Sequence, residues 1–157
     1  LGHVRAAAGA SVLVVGPAAA RRAAALGALG LEAATAGPRD PGLPARPHHE
    51  VPLERLHDLG ARFDVVLLDR VLADAEDPRR VVEGARRALA TGGELVVLVP
   101  RLEGPIGAAA DRLEAAGARR AWTIPGLRGV LRASRLEVVV ARHLPAGEAL
   151  MRARARA

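Results

Sequence analysis

The stretch SVLVVGPAAARRAAALG, residues 11–27, sets a short β-branched run, a turn and a helix in succession. In such an arrangement the backbone does the chemistry. The N–H groups at the helix start, near Ala18, lie outside the intrahelical ladder and can hold an anionic group. A glycine at the turn permits positive φ and lets a ligand approach with no Cβ in the way. Cofactor turns of this kind carry several glycines, whereas Gly16 stands alone here, followed by Pro17 and three alanines. The side-chain candidates are Asp69 and Arg70, which close the apolar run DVVLLD. His48, His49, Glu50 and His57 offer metal-ligating atoms. Adjacent histidines in a Pro-rich loop point apart, however, and lack an ordered ligand spacing, so solvated loop residues are expected and no metal site. Ser11 and Ser134 form no nucleophile arrangement with any histidine, and no catalytic residue is assigned. The chain contains no Cys, which excludes disulfides, thiolate metal sites and cysteine nucleophiles.

These residues need a scaffold, and the apolar pattern supplies one. VLVV (12–15) reads as a strand buried on both faces, with a helix from about Pro17 to Leu29 and a stop at Gly30. LEAATA (31–36) is a weaker strand, and the Pro- and Gly-rich 37–50 is a long loop. A short extended piece near His49–Leu53 and a helical turn to Leu59 follow. DVVLLD is the clearest strand. Asp77-Pro78 opens the best helix, whose apolar stripe is Val81 or Val82, Ala85, Ala88 and Leu89; Asp74, Glu76 and Asp77 supply capping charge. Thr91-Gly92-Gly93 ends it, and ELVVLVP starts another buried strand. Ile106, Ala110 and Leu113 repeat the helical spacing before Gly117. ARRAWTI and RLEVVVARHL, joined through PGLRGVLRAS, are expected to pair antiparallel, with Trp122 packed in the core or an interface. The result is an α/β fold with a mostly parallel sheet.

With 157 residues the chain is most simply one domain, expected to span 1–145, and 146–157 reads as a frayed Arg- and Ala-rich tail. One Phe, one Trp and no Tyr leave the core to Ala, Val and Leu. All 23 basic residues are Arg, and the net charge is +6. The arginines are spread along helical faces without aromatics to stack on bases, which counts against a nucleic-acid partner. No apolar stretch reaches the length of a membrane span, and a cytoplasmic location is expected.

Residues 63–100, FDVVLLDRVLADAEDPRRVVEGARRALATGGELVVLVP, resemble the central segment of small class I S-adenosylmethionine-dependent methyltransferases. Phe63-Asp64, Asp77-Pro78, Gly92-Gly93 and Pro100 match that family's fourth strand, following helix, turn and fifth strand. LEAAGARRAWTIPG and RLEVVVARHL resemble its last helix and closing strands, so the likeness covers about residues 10–144. It implies a three-layer Rossmann-like sheet of seven strands, mostly parallel, closed by an antiparallel hairpin. It also implies S-adenosylmethionine as cofactor, at Gly16, Pro17, Ala18, Ala36, Gly37 and Asp69, with Asp69 and Arg70 toward a substrate.

The departures cluster at the cofactor contacts. The family's first motif resembles Val-Leu-Asp-x-Gly-x-Gly-x-Gly, which puts Val14 at the acidic position and Ala18 and Ala20 at the later glycines. The ribose-gripping acid at the second strand's end corresponds to Ala36 or Gly37; Asp40 comes later. Losing a hydrogen bond to a carboxylate costs about 1.5–3 kcal/mol, and two or three such losses weaken binding roughly 10²–10⁴-fold. The leading expectation is therefore an eroded, weakly active or non-catalytic accessory domain, a pseudoenzyme able to form a homo- or hetero-dimer through an Ala- and Val-rich face. The alternative is an active methyltransferase on a small molecule with a divergent cofactor turn. A response-regulator receiver, with Asp69 at its phosphorylation strand, lacks the acidic pair and the Lys. A nicotinamide-binding Rossmann domain finds only the first of its three glycines in GPAAAR.

Overall fold

In a computed structural model of the chain, the structure describes residues 7–37, 47–100, 122–144 and 147–155. The helix expected over Ile106–Gly117 lies outside them. β1 (Ser11–Val15) sits inside the sheet, its last four residues buried, and pairs in parallel with both β2 (Glu32–Ala36) and β4 (Phe63–Asp69). β3 (His48–His49) extends the sheet beyond β2, and β5 (Leu89–Pro100) lies parallel to β4 on the other side. β6 (Leu136–Leu144) and β7 (Glu148–Ala155) complete a seven-stranded sheet of order β3-β2-β1-β4-β5-β7-β6. β7 alone runs against the direction of the other six strands, antiparallel to both β5 and β6.

Each face of the sheet carries its own core. On one face α1 (Ala19–Ala28) lays Ala19, Ala23 and Leu26 against Val12, Val14, Val65, Leu67 and Val96. These helix positions recur at spacings of three and four, so a narrow stripe of small side chains brings α1 close to the strands. On the other face Leu13, Val15, Val66 and Leu68 meet α3 (Pro78–Arg87) and α4 (Ile124–Ala133). α3 starts where its sequence says it should. The Asp77 carboxylate accepts the N–H groups of Arg79 and Arg80, each at 3.1 Å, and Pro78 occupies the first turn, where no N–H is needed. A 3-10 helix (Leu53–Leu59) and the one-turn α2 (Val71–Asp74) bound the region above β1, β2 and β4.

Two expectations are corrected. The segment 124–133, expected to join a strand pair, is α4: the Thr123 hydroxyl caps Gly126 N–H at 3.1 Å, and Leu127 and Leu131 are both fully buried one helical turn apart. The partner of β6 is therefore not ARRAWTI but residues 148–155. These lie in the segment expected to be a frayed tail, and they form β7 inside the sheet, so the ordered unit continues past residue 145. Their alternation explains it. Ala149, Met151 and Ala153 point to one core, while Arg152 and Arg154 on the opposite face clasp Glu94 of β5. Burial pushes the Glu94 carboxyl up, but hydrogen bonds and charge from Arg152 and Arg154 outweigh it and hold the group below its usual value.

Candidate functional site

The strand order reverses between β1 and β4, and their C-terminal ends diverge into a crevice, the place where open α/β sheets bind ligands. A hollow of about 240 Å³ opens there, walled by Gly16 and Pro17 after β1, Ala36 and Gly37 after β2, and His48 on β3. Ala19 and Ala20 of α1, Leu53, Val71 and Asp74 complete it. Small residues line its floor for two different reasons. Gly16 has φ +136°, and a Cβ there would collide with the Asp69 carbonyl oxygen, so this glycine lets β1 and β4 come together at the base of the crevice. Gly37 has φ +131° and open space about it, with only Leu53 Cδ2 at 3.7 Å from a would-be Cβ.

Ala18 is the N-cap of α1 and does not line the hollow; no side chain caps the helix, and Ala19 N–H turns back to Gly16 O at 3.0 Å. The helix thus starts two residues later than the sequence indicates. Asp69 also lies away from the hollow. It follows Val65 and Leu67 at alternate positions of β4, so its side chain turns to the α1 face. There it is fully buried, and both carboxylate oxygens are taken by Arg22, Nε to Oδ2 at 2.6 Å and Nη2 to Oδ1 at 3.1 Å. Arg70 has φ +60°, its N–H bonds Leu98 O at 2.9 Å, and its Nε lies 3.1 Å from Glu148 Oε1. The structure therefore brings Gly16, Pro17, Ala36 and Gly37 together in the lining, while Ala18, Arg70 and the Asp69 side chain stay out of it, although the Asp69 backbone packs against Gly16.

Sequence reasoning missed His48, Leu53, Val71, Arg22 and the role of Asp74. His48 was assigned to a solvated loop, but it belongs to β3, opposite Thr35 in the register, with its Nδ1 2.8 Å from Thr35 Oγ1. A two-residue strand leaves no periodic signal. Asp74, at the end of α2, is a wall residue rather than part of the α3 cap, which Asp77 provides. Trp122 donates its indole N–H to Leu72 O at 3.2 Å and so ties the segment before α4 to α2. Among the described residues no three metal-ligating side chains come together, and no helix is long and apolar enough to cross a membrane. A wider hollow of about 420 Å³ opens at the opposite edge of the sheet, but its carboxylates are committed: Asp64 to the Ser11 N–H and hydroxyl, Glu94 to its two arginines. The hydrogen bonds from Ser11 hold Asp64 below the usual carboxylate range.

No family model and no curated protein matches the chain. Solved structures do. An O-methyltransferase family 2 protein from Planctomyces limnophilus, in complex with apigenin, superposes with a TM-score of 0.75 at 21% identity, over 95% of this chain and 52% of its own. This is the class I methyltransferase fold. A 1,6-didemethyltoxoflavin-N1-methyltransferase from Burkholderia thailandensis, with S-adenosylhomocysteine bound, has a TM-score of 0.75 at 22% identity, covering 95% of this chain and 72% of that one. A SAM-dependent methyltransferase from Methanosarcina mazei matches over 96% of this chain and 94% of its own, with a TM-score of 0.70 and 14% identity. The chain spans about half the length of the Planctomyces protein.

Proposed function

We propose that this chain is a methyltransferase domain that binds S-adenosylmethionine in the hollow over Gly16 and serves a small-molecule acceptor. The observation that carries the reading is the hollow itself: it opens at the strand-order reversal and is floored by Gly16, Ala36 and Gly37 rather than filled by large side chains. The residues present fit the group. Gly37 has no Cβ to fill the space beside its backbone, Leu53 and Val71 give apolar walls for a nucleobase, and Asp74 and His48 are the ionisable side chains of the lining. The uncapped start of α1 suits a carboxylate, and the Asp74 carboxylate suits an ammonium group or a sulfonium. When bound, S-adenosylmethionine supplies a methyl group already activated on a sulfonium, so the protein's share is alignment and exclusion of water rather than a catalytic base.

A second reading, an accessory domain with an eroded donor site, is favoured by particular features. Ala36 and Gly37 offer no carboxylate, Pro17 offers no N–H, and 240 Å³ falls below the roughly 300 Å³ at which ligand pockets usually begin. Calorimetric titration with S-adenosylmethionine and S-adenosylhomocysteine separates the two. Micromolar binding is the expected result. Silence up to millimolar ligand would overturn the enzyme reading in favour of the accessory one.

A further inference from the structure

We infer that β6 is a self-pairing edge: its outer side adds antiparallel to β6 of a second copy, joining two sheets about a two-fold axis at Val139 and Val140. The inference is independent of what the hollow over Gly16 binds. β6 ends the strand order, with β7 as its one strand neighbour among the described residues. It is nine residues long, and its centre reads Val138-Val139-Val140-Ala141. Val139 is 45% exposed. An edge of that length and composition presents a row of backbone N–H and C=O groups ready to pair with another strand.

The register inside the sheet decides which partner fits. Glu137 lies opposite Arg154 and Val138 opposite Ala153, but the next residue to find a partner is Val140, opposite Arg152. Val139 is the extra residue of a bulge, and the bulge resets the alternation. Leu136, Val138 and Ala141 pack on the core that α3 and α4 cover, whereas Val140 and Leu144 pack on the core of α1. Glu137 and Arg142 therefore share the α1 face, where a regular strand would set them on opposite faces. Both are exposed, and among the described residues neither has an ion-pair partner. Two such strands related by a two-fold axis place Glu137 of each copy opposite Arg142 of the other. Val138 then meets Ala141, and the bulged Val139 meets Val140. Residues opposite one another in an antiparallel pair point to the same face, so each core face continues into its counterpart. The charges commit the edge to its own copy. Charged edges guard against pairing when like meets like; here an acid meets a base, twice. The pairing also extends a row already built within the sheet. Glu94 of β5, Arg154 of β7 and Glu137 of β6 stand in register and alternate in sign, and Arg142 of the second copy is the next member.

Sedimentation equilibrium on the full chain, over roughly 1–100 μM, should show a reversible dimer. Arg142→Glu, whose neighbour on β7 is Leu150, leaves the charges within the sheet as they are and sets Glu against Glu137 twice. It should weaken the dimer roughly 10-fold or more. Glu137→Arg should do the same by setting Arg against Arg142. Mixed in equal amounts, the two variants should recover the dimer, since each Glu then faces an Arg of the other chain; circular dichroism checks that both are folded. If Glu137→Arg fails to fold beside Arg154, Arg142→Glu carries the test alone. A monomeric wild type would overturn the inference. So would a dimer untouched by Arg142→Glu, which would put the interface elsewhere, and so would two folded variants that stay monomeric when mixed.

Discussion

The strand ends on the two sides of the β1–β4 reversal are built on opposite plans. On the β4 side the charges find partners within the protein: Asp69 is clasped by Arg22, and Arg70 reaches Glu148. On the β1–β2–β3 side the wall is Gly16, Pro17, Ala36 and Gly37, and its single imidazole keeps one nitrogen unpaired. The difference teaches that charge at the end of a strand is not by itself a mark of a ligand site. The β4 end is polar because it ties α1 and β7 to the sheet. The opposite side is bare, and so has room for a ligand.

Asp69→Ala leaves the partly exposed Arg22 guanidinium beside an apolar face and should cost about 3 kcal/mol, the low end for breaking a buried pair, read from urea unfolding. If Asp69 held ligand instead, the variant would lose affinity while keeping its stability. Gly16→Ala should cost roughly 2–4 kcal/mol, through strained backbone and collision with the Asp69 carbonyl. A neutral result there would mean that the β1–β4 junction is looser than described.

Glu94 extends the matched-charge plan to the far edge of the sheet. Its pKa is lower in the folded chain than in the unfolded one, so its contribution is present above the ordinary carboxylate pKa. That contribution is lost as pH falls through the folded value. Unfolding measured between neutral pH and pH 3 should therefore show a smaller acid loss in Glu94→Gln than in the wild type, from a lower starting stability; parallel curves would remove Glu94 from the account. Trp122→Phe deletes the donor to Leu72 O and should cost about 1 kcal/mol. Arg70→Ala, whose side chain is 48% exposed, should cost less than about 1 kcal/mol, seen as a small drop in Tm that shrinks further in high salt.

The parts of the fold legible in the sequence are those whose signals are local. VLVV, DVVLLD and ELVVLVP carry enough consecutive apolar residues to announce buried strands, and Asp77-Pro78 announces the start of a helix. β7 was hidden because Arg152 and Arg154 make its sequence look solvated; the acid that neutralises them, Glu94, is 58 and 60 residues away. The segment from Pro125 reads as a connection between two strands, although Thr123 and the Leu127–Leu131 spacing mark a helix start. At the candidate site the same divide holds. Gly16, Pro17, Ala36 and Gly37 follow strand ends and can be placed by counting along the chain. Asp69 misled, since the strand end says where the residue is but not that Arg22 waits on the face to which it turns. His48 gave no signal at all, because its place depends on a two-residue strand that pairs with Thr35 across the loop.

The central claim is that the bare wall is a seat for the adenosyl donor, and a co-crystal structure with S-adenosylhomocysteine tests it most directly. The account predicts electron density for the ligand over Gly16, Ala36 and Gly37. A hollow closed by the protein's own side chains, or a ligand seated away from these residues, would contradict it.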